Sequence, residues 1–170
     1  MGSGGIGLNQ PTSGTLQQQI LVAQARMKTG ANWFIVIGAL SVVNSVISLS
    51  GGRIRFIFGL GATEFVDALA QHRGSLSPTL LLAVSVLFGG VVALFGYFGR
   101  KEQSWAFLVG MGIYVCDGLL LLPVGQYLGA AFHVWALFRI FQGLQGLNAL
   151  SVLREQQAAS VVATSGSWNQ

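Results

Sequence analysis

Four long apolar runs constrain the possible folds of this chain more than any other feature of its sequence. They cover residues 32–50, 79–98, 104–122 and 131–150, and each has about the 20 residues that a helix needs to cross the hydrocarbon core of a bilayer. Only 8% of the 170 residues are charged, whereas soluble domains average roughly 25%. The sequence therefore predicts an all-α fold, an integral membrane helical bundle.

A fifth apolar run, 54–70, is shorter and contains two acids, Glu64 and Asp67. They are three positions apart, so on a helix both carboxylates point the same way. The run either spans with a tilted fit or enters and leaves the membrane on one side. Shifting the chain by 50 residues lays the first hairpin of runs onto the next and Asp67 onto Asp117, which favours a full helix. We therefore expect about five membrane helices, the second one short.

The segments outside the apolar runs divide the rest of the chain. Residues 1–14 are rich in glycine and predict a flexible or partner-bound tail. Residues 15–29 predict an amphipathic helix that lies at the membrane interface or on a partner. The transmembrane bundle is expected over 30–153, followed by a polar carboxyl-terminal tail over 154–170. The apolar side of the amphipathic helix consists of Leu16, Ile20, Ala23 and Met27.

Small residues recur at helical spacing along several of the runs. Such residues let membrane helices approach closely, so that backbone packing and weak hydrogen bonds hold them together. A glycine-lined pore would need a polar stripe on several helices at once, and only partial stripes are present. A compact bundle core is therefore expected. The predicted packing residues are Gly38, Ser41, Ser45, Gly89, Ala93, Gly96 and Gly146.

Four charged side chains form a predicted intramembrane charge cluster, namely Glu64, Asp67, Asp117 and Arg139. Arg139 lies near the middle of the last run, where an arginine costs about 3 kcal/mol on insertion scales. It should therefore face protein and pair with one of the three carboxylates. The cluster is interpreted either as a structural ion-pair network or as a proton or cation pathway. A metal site is disfavoured because the Glu-x-x-His spacing of di-metal bundles is missing.

His133 is the candidate cofactor ligand, since it lies in an aromatic stretch with Phe132 and Trp135. A histidine in such a helix can ligate the metal of a haem or a chlorophyll. Its position near a predicted helix end makes a hydrogen bond at headgroup level the more ordinary interpretation. No cofactor is therefore predicted, and a pigment or haem remains the alternative.

Two stretches, GANWFIVIGALSVVNS and FHVWALFRIFQGLQGL, resemble those of small bacterial polytopic inner-membrane proteins whose activities are uncharacterised. The resemblance covers roughly residues 30–150. It implies a multi-pass protein of the bacterial inner (cytoplasmic) membrane and no particular activity.

The functional prediction follows from missing motifs as much as from those present. No P-loop, dinucleotide fingerprint, nucleophile elbow or zinc helix occurs, so no enzymatic activity is expected. The basic residues flank the apolar runs rather than form a patch, which disfavours nucleic acid. We expect a non-catalytic accessory or structural subunit of a respiratory or photosynthetic type of membrane complex, with the bilayer and other membrane subunits as partners. The alternatives are a small proton- or cation-conducting transporter or channel and a pigment- or haem-binding subunit.

Overall fold

The computed structural model describes residues 13–49, 77–123 and 125–166, and these ranges contain four α-helices. They are α1 (Ser13–Leu49), α2 (Pro78–Arg100), α3 (Ser104–Leu119) and α4 (Tyr127–Gly166). No strand occurs in these ranges, so the all-α prediction is confirmed for this part of the chain. The predicted helix over 54–70 lies outside the described residues.

Helix α1 is continuous where the sequence predicted two separate helices, over 15–29 and 32–50. Gly30 does not interrupt it, because the missing side chain allows a close approach to α4. A Cβ atom at Gly30 would lie 2.8 Å from the backbone nitrogen of Gly143. The residues around Gly30 thus stay helical, because the close packing against α4 that glycine permits outweighs the low helix propensity of glycine.

The predicted amphipathic side of α1 packs against this chain rather than against a membrane surface or a partner. Its four apolar side chains are all at least 92% buried and belong to one core cluster with the apolar side chains of α4. Gly146 of α4 allows this contact, because a Cβ there would lie 2.7 Å from the backbone nitrogen of Met27. The structure therefore differs from the prediction of an interfacial helix over 15–29.

The other helix boundaries follow from local chemistry. Helix α2 begins with Ser77, whose hydroxyl accepts a 3.2 Å hydrogen bond from the backbone N–H of Leu80, and with Pro78 at its first position, both common at helix starts. A tight turn, in which Glu102 has a φ of 64°, leads from α2 into α3. Helix α4 continues to Gly166, so much of the predicted polar tail over 154–170 is helical.

Glycine contacts define how the helices run relative to one another. Helices α1 and α2 are antiparallel, since Gly38 lies against Gly89 and Gly96 lies against the carbonyl of Ala31. Helices α1 and α4 are also antiparallel, since Gly30 lies against Gly143 while the earlier Met27 lies against the later Gly146. Consequently α1 ends and α2 begins at the same end of the bundle, where α3 also turns into α4.

The opposite end of the bundle carries most of the described charges, and we call it the charged end. It comprises Lys28 of α1, the turn of Arg100, Lys101 and Glu102, and Arg154 of α4.

Helices α1 and α4 have 37 and 40 residues, which corresponds to about 55 and 60 Å at 1.5 Å per residue. Both therefore project past the charged end, and we call this two-helix extension (13–27 and 147–166) the arm.

Two of the described helices contain segments that are long and apolar enough to cross a membrane. The segments are Gly14–Ile47, which is nearly all of α1, and Leu82–Arg100 in α2. Helix α3 is also apolar but has only 16 residues. Large apolar side chains on the outside of the bundle, such as Val43, Leu87 and Leu108, are about half exposed.

Candidate functional site

A buried carboxylate–imidazole pair joins α3 to α4. Asp117 Oδ2 lies 2.9 Å from His133 Nε2, and the two residues are 7% and 2% exposed. The other ring nitrogen, His133 Nδ1, lies 2.9 Å from the carbonyl oxygen of Gly129, four residues earlier on the same helix. Both imidazole nitrogens are therefore engaged, one within α4 and one across the helix–helix contact.

The helical hairpin of α3 and α4 brings these two residues together. Asp117 lies in the last turn of α3, and His133 lies six residues into α4. Gly118 lets the helices approach, because a Cβ atom there would lie 3.1 Å from the His133 ring. A larger residue at position 118 would push the imidazole away from Asp117. The sequence thus supplies an acid, a glycine and a histidine at the three places that this contact requires.

The hydrogen bonds determine where protons lie on the pair. A backbone carbonyl only accepts, so Nδ1 of His133 carries a proton that it donates to Gly129. A second proton must lie between Nε2 and Oδ2, because otherwise a nitrogen lone pair would face a carboxylate oxygen. The pair is then either imidazolium with carboxylate or neutral imidazole with carboxylic acid. Its net charge is zero in both states, which suits an apolar surrounding.

Tyr114 covers the imidazole on one side. Its ring stacks on that of His133 with centroids 4.3 Å apart and an interplanar angle of 17°. Its hydroxyl is buried without a hydrogen-bond partner. Tyr114 and Asp117 also line an apolar cavity of about 240 Å³ beside α2 and α3, together with Phe88, Val92, Ile113, Cys116 and Leu120.

The two described members of the predicted charge cluster, Asp117 and Arg139, have other partners instead of each other. Arg139 donates a 3.1 Å hydrogen bond from Nη1 to Oε1 of Gln142 on its own helix, and Asp117 binds His133 instead. Of the three carboxylates predicted as partners of Arg139, Asp117 therefore does not pair with it, since His133 binds Asp117 across the hairpin. Glu64 and Asp67 lie outside the described residues.

The surroundings of His133 bear on the cofactor alternative. The side chain is buried and hydrogen-bonded to Asp117, whereas the level of this bond relative to the lipid headgroups stays a prediction. A haem or chlorophyll metal needs a ring nitrogen with a free lone pair. In this arrangement Nδ1 donates to Gly129 and Nε2 shares a proton with Asp117, so binding a metal would require the Asp117 bond to break.

The predicted packing residues lie at the helix contacts. A Cβ atom at Gly38 would meet the carbonyl oxygen of Gly89, and one at Gly89 would lie 2.7 Å from that of Gly38. Ala93 is in the same contact, 3.4 Å from a Cβ at Gly38. Ser45 Oγ donates a 2.6 Å hydrogen bond to Ser85 Oγ of α2. Ser41 is fully buried, and its hydroxyl has no partner.

The charged end contains a second ion pair of a different kind. Arg154 forms two parallel hydrogen bonds to the Glu102 carboxylate, of 2.5 and 2.9 Å, while both side chains keep substantial exposure to solvent. These bonds hold the pKa of Glu102 below its ordinary value, although desolvation raises it in part. The same bonds raise the pKa of Arg154. The pair ties the α2–α3 turn to the arm.

Sequence reasoning missed both the Asp117–His133 pair and the part that Tyr114 takes in it. A signal was present, because Asp117 and His133 flank the short connection between two predicted helices, where a hairpin brings helix ends together. Among the residues that the structure describes, no group of three or more side chains is placed to hold a metal ion.

The fold and the site together define a class, a protein whose described regular structure is all helical, with two described helices long and apolar enough to cross a membrane and a buried acid–histidine pair. Comparison with protein-family models, with curated proteins and with solved structures finds no match to this chain.

Proposed function

We propose that this chain is a non-catalytic accessory or structural subunit of a larger complex in a bacterial inner membrane. In this proposal all four described helices cross the bilayer, and the respiratory or photosynthetic type of complex predicted from the sequence remains part of the proposal. The observation that carries it is the arm, which extends α1 and α4 well beyond the length needed to span the membrane.

The arm presents apolar surface where the proposal places water rather than lipid. Leu21, Val22, Val152 and Val161 are each more than half exposed. Contiguous apolar patches outside a membrane are typical of protein-binding surfaces. A groove of about 470 Å³ also runs along the arm, with Ala23, Gly146 and Ala149 in its lining. Ala149 is exposed in this groove, so its small side chain leaves space for a side chain of a partner.

The charges indicate which side of the membrane the arm faces. Lys28, Arg100, Lys101 and Arg154 lie at the charged end, and Arg26 lies in the adjacent part of the arm. Loops rich in lysine and arginine stay on the cytoplasmic side. We therefore place the arm in the cytoplasm, where it is accessible to other subunits.

The proposal is tested on the complex itself. Native membranes are extracted in mild detergent, and the chain is followed on native gels before and after Val22→Lys, with Gln156→Lys as the exposed control on the arm. We expect migration in a larger species that contains different polypeptides, loss of this migration with Val22→Lys, and no loss with Gln156→Lys. A monodisperse monomer, or an assembly of this chain alone, would contradict the proposal.

The transporter alternative has less support from the described residues. It needs a series of protonatable or cation-binding groups across the membrane, whereas the part of the chain that the structure describes shows Asp117 and His133 together at one end of the bundle. Flux measurements in vesicles, with Asp117→Asn as the variant, remain its test.

A further inference from the structure

We propose that the surface around the α2–α3 turn binds the headgroup of an anionic phospholipid, whose charge is recognised by Lys28, Arg100 and Lys101. The inference rests on the membrane-crossing part of the function proposed above and not on the presence of other subunits. Its ligand is a lipid of the surrounding bilayer, held by its phosphate at the charged end and by its acyl chains along the helices.

The outward surface of α2 changes from apolar to aromatic to basic as the helix approaches the turn. Leu94 is 54% exposed, and Tyr97, almost one turn later, is 49% exposed. Lys101 follows, with its Nζ 4.7 Å from the centroid of the Tyr97 ring. The acyl chains, the interface and the phosphate of a lipid follow one another in the same order. A lipid lying along α2 therefore brings its phosphate to Lys101.

Helix α3 shows the same order on the other side of the turn. Trp105 lies at the second position of α3 and is 46% exposed, and Leu108, almost one turn further, is 59% exposed. The ring of Phe98 joins the two helices, since its centroid is 5.5 Å from that of Tyr97 and 5.5 Å from that of Trp105. The three aromatic rings form one row, as tryptophan and tyrosine do at membrane interfaces.

Lys28 of α1 adds a third cation next to the turn. Ala31, one turn later on α1, contacts the last turn of α2, because a Cβ atom at Gly99 would lie 3.2 Å from the Cβ of Ala31. The hydrogen bond from Arg154 lowers the pKa of Glu102 most, and the charge of Lys28 lowers it further. Lys28 is therefore within electrostatic reach of the turn.

The three cations are not neutralised by the carboxylates that the structure describes. Each cation is exposed, and the ion pairs in the described ranges join Asp117 to His133 and Glu102 to Arg154. Arg154 binds both oxygens of Glu102, so this carboxylate is already occupied. The remaining positive charge attracts anions, and clusters of lysine and arginine beside membrane helices bind anionic headgroups in this way.

The test uses the purified whole chain in micelles of a neutral detergent. The micelles are titrated with phosphatidylglycerol or with phosphatidylcholine of the same acyl chains, whose phosphate is neutralised by choline. A ligand that binds the folded state raises the midpoint of thermal unfolding. We expect a saturable rise with phosphatidylglycerol that weakens as the salt concentration increases, and no such rise with phosphatidylcholine. Glycerophosphoglycerol, the same headgroup without acyl chains, should have no effect at the same concentrations.

Two neighbouring cations on α1 provide matched variants. Lys28 lies towards α2, whereas Arg26 lies towards α4, since its Cβ is 3.1 Å from a Cβ atom at Gly146. Lys28→Gln should raise the apparent Kd for phosphatidylglycerol about fivefold, whereas Arg26→Gln, with the same loss of charge, should change it by less than about twofold. Lys101→Gln is expected to act like Lys28→Gln.

Equal affinities for the two lipids, or equal effects of Lys28→Gln and Arg26→Gln, would overturn the proposal. Equal binding of glycerophosphoglycerol would assign the site to a soluble phosphate compound and would also overturn it. The purified chain is measured alone, so native gels that show no other subunit would contradict the accessory role and leave this result unchanged.

Discussion

Helix α4 packs against α1 and against α3, and the two contacts are built from different chemistry. The α1–α4 contact brings backbones together at Gly30, Gly143 and Gly146. The α3–α4 contact depends on the Asp117–His133 hydrogen bond and on the stacked ring of Tyr114. Where helices lie in lipid, the hydrophobic effect does not drive them together, so close packing and hydrogen bonding are the two means available. The α1–α4 contact uses close packing, and the α3–α4 contact uses hydrogen bonding.

The largest expected effect breaks the glycine contact. In Gly30→Ala the new methyl group meets the backbone of Gly143, so α1 and α4 must separate and the free energy of unfolding should fall by about 2–3 kcal/mol. Unfolding in mixed micelles with a denaturing detergent measures it. Gly90→Ala is the matched control, because nothing lies within 4 Å of its Cβ position, and it should stabilise by up to about 1 kcal/mol. Equal changes in the free energy of unfolding at both positions would show that close packing does not hold α1 and α4 together.

The next effect addresses the polar contact. A double-mutant cycle with Asp117→Ala and His133→Ala should give a coupling energy of about 1–2 kcal/mol, near the upper end of hydrogen bonds between membrane helices. Each single variant leaves a buried polar partner unsatisfied, so the double variant should be no worse than the poorer single one. Additive losses would mean that the two side chains do not stabilise the hairpin through each other.

A smaller effect distinguishes a paired from an unpaired hydroxyl on α1. Ser45→Ala removes the 2.6 Å bond to Ser85 and should cost about 0.6 kcal/mol. Ser41→Ala removes a more deeply buried hydroxyl that has no partner and should be neutral or slightly stabilising. The same unfolding assay compares them, and a larger loss for Ser41→Ala would contradict the assigned bond.

The smallest effect concerns the exposed pair between Glu102 and Arg154. Exposed pairs contribute at most about 1 kcal/mol and are screened by salt. Because the pKa of Glu102 is lower in the folded than in the unfolded state, the contribution is complete above the ordinary value of 4.5. It is lost as the pH falls through the folded value. Glu102→Gln should therefore reduce stability slightly at neutral pH and remove this pH dependence, whereas an unchanged profile would show that the pair is not formed in solution.

The sequence predicted the small-residue side of several helices, because glycine and serine at helical spacing have few other uses in an apolar run. It also predicted the apolar side of the first segment from its period. It did not predict what that side contacts, since a period identifies a buried face and not its partner. Gly30 was interpreted as a boundary between helices, whereas close contact with Gly143 keeps the helix continuous.

The polar site shows a different limit of sequence reasoning. Counting charges paired Arg139 with a carboxylate, but amides and imidazoles also satisfy buried charged groups. Gln142 is three residues from Arg139, a spacing at which helix side chains meet. The Asp117–His133 pair depends on the geometry of the hairpin between two helices, which neither residue reveals alone.

In the proposed arrangement, α1 runs from an arm in water into the membrane. Its most direct test is cysteine labelling along α1, in nanodiscs and in a Cys116→Ser background, with a polar maleimide that does not enter lipid. Val36 and Val43 are 42% and 49% exposed on the protein surface, so only lipid protects cysteines placed there. We expect rapid labelling of Gln17→Cys and Ala25→Cys and protection of Val36→Cys and Val43→Cys. Comparable labelling rates at all four positions would contradict it.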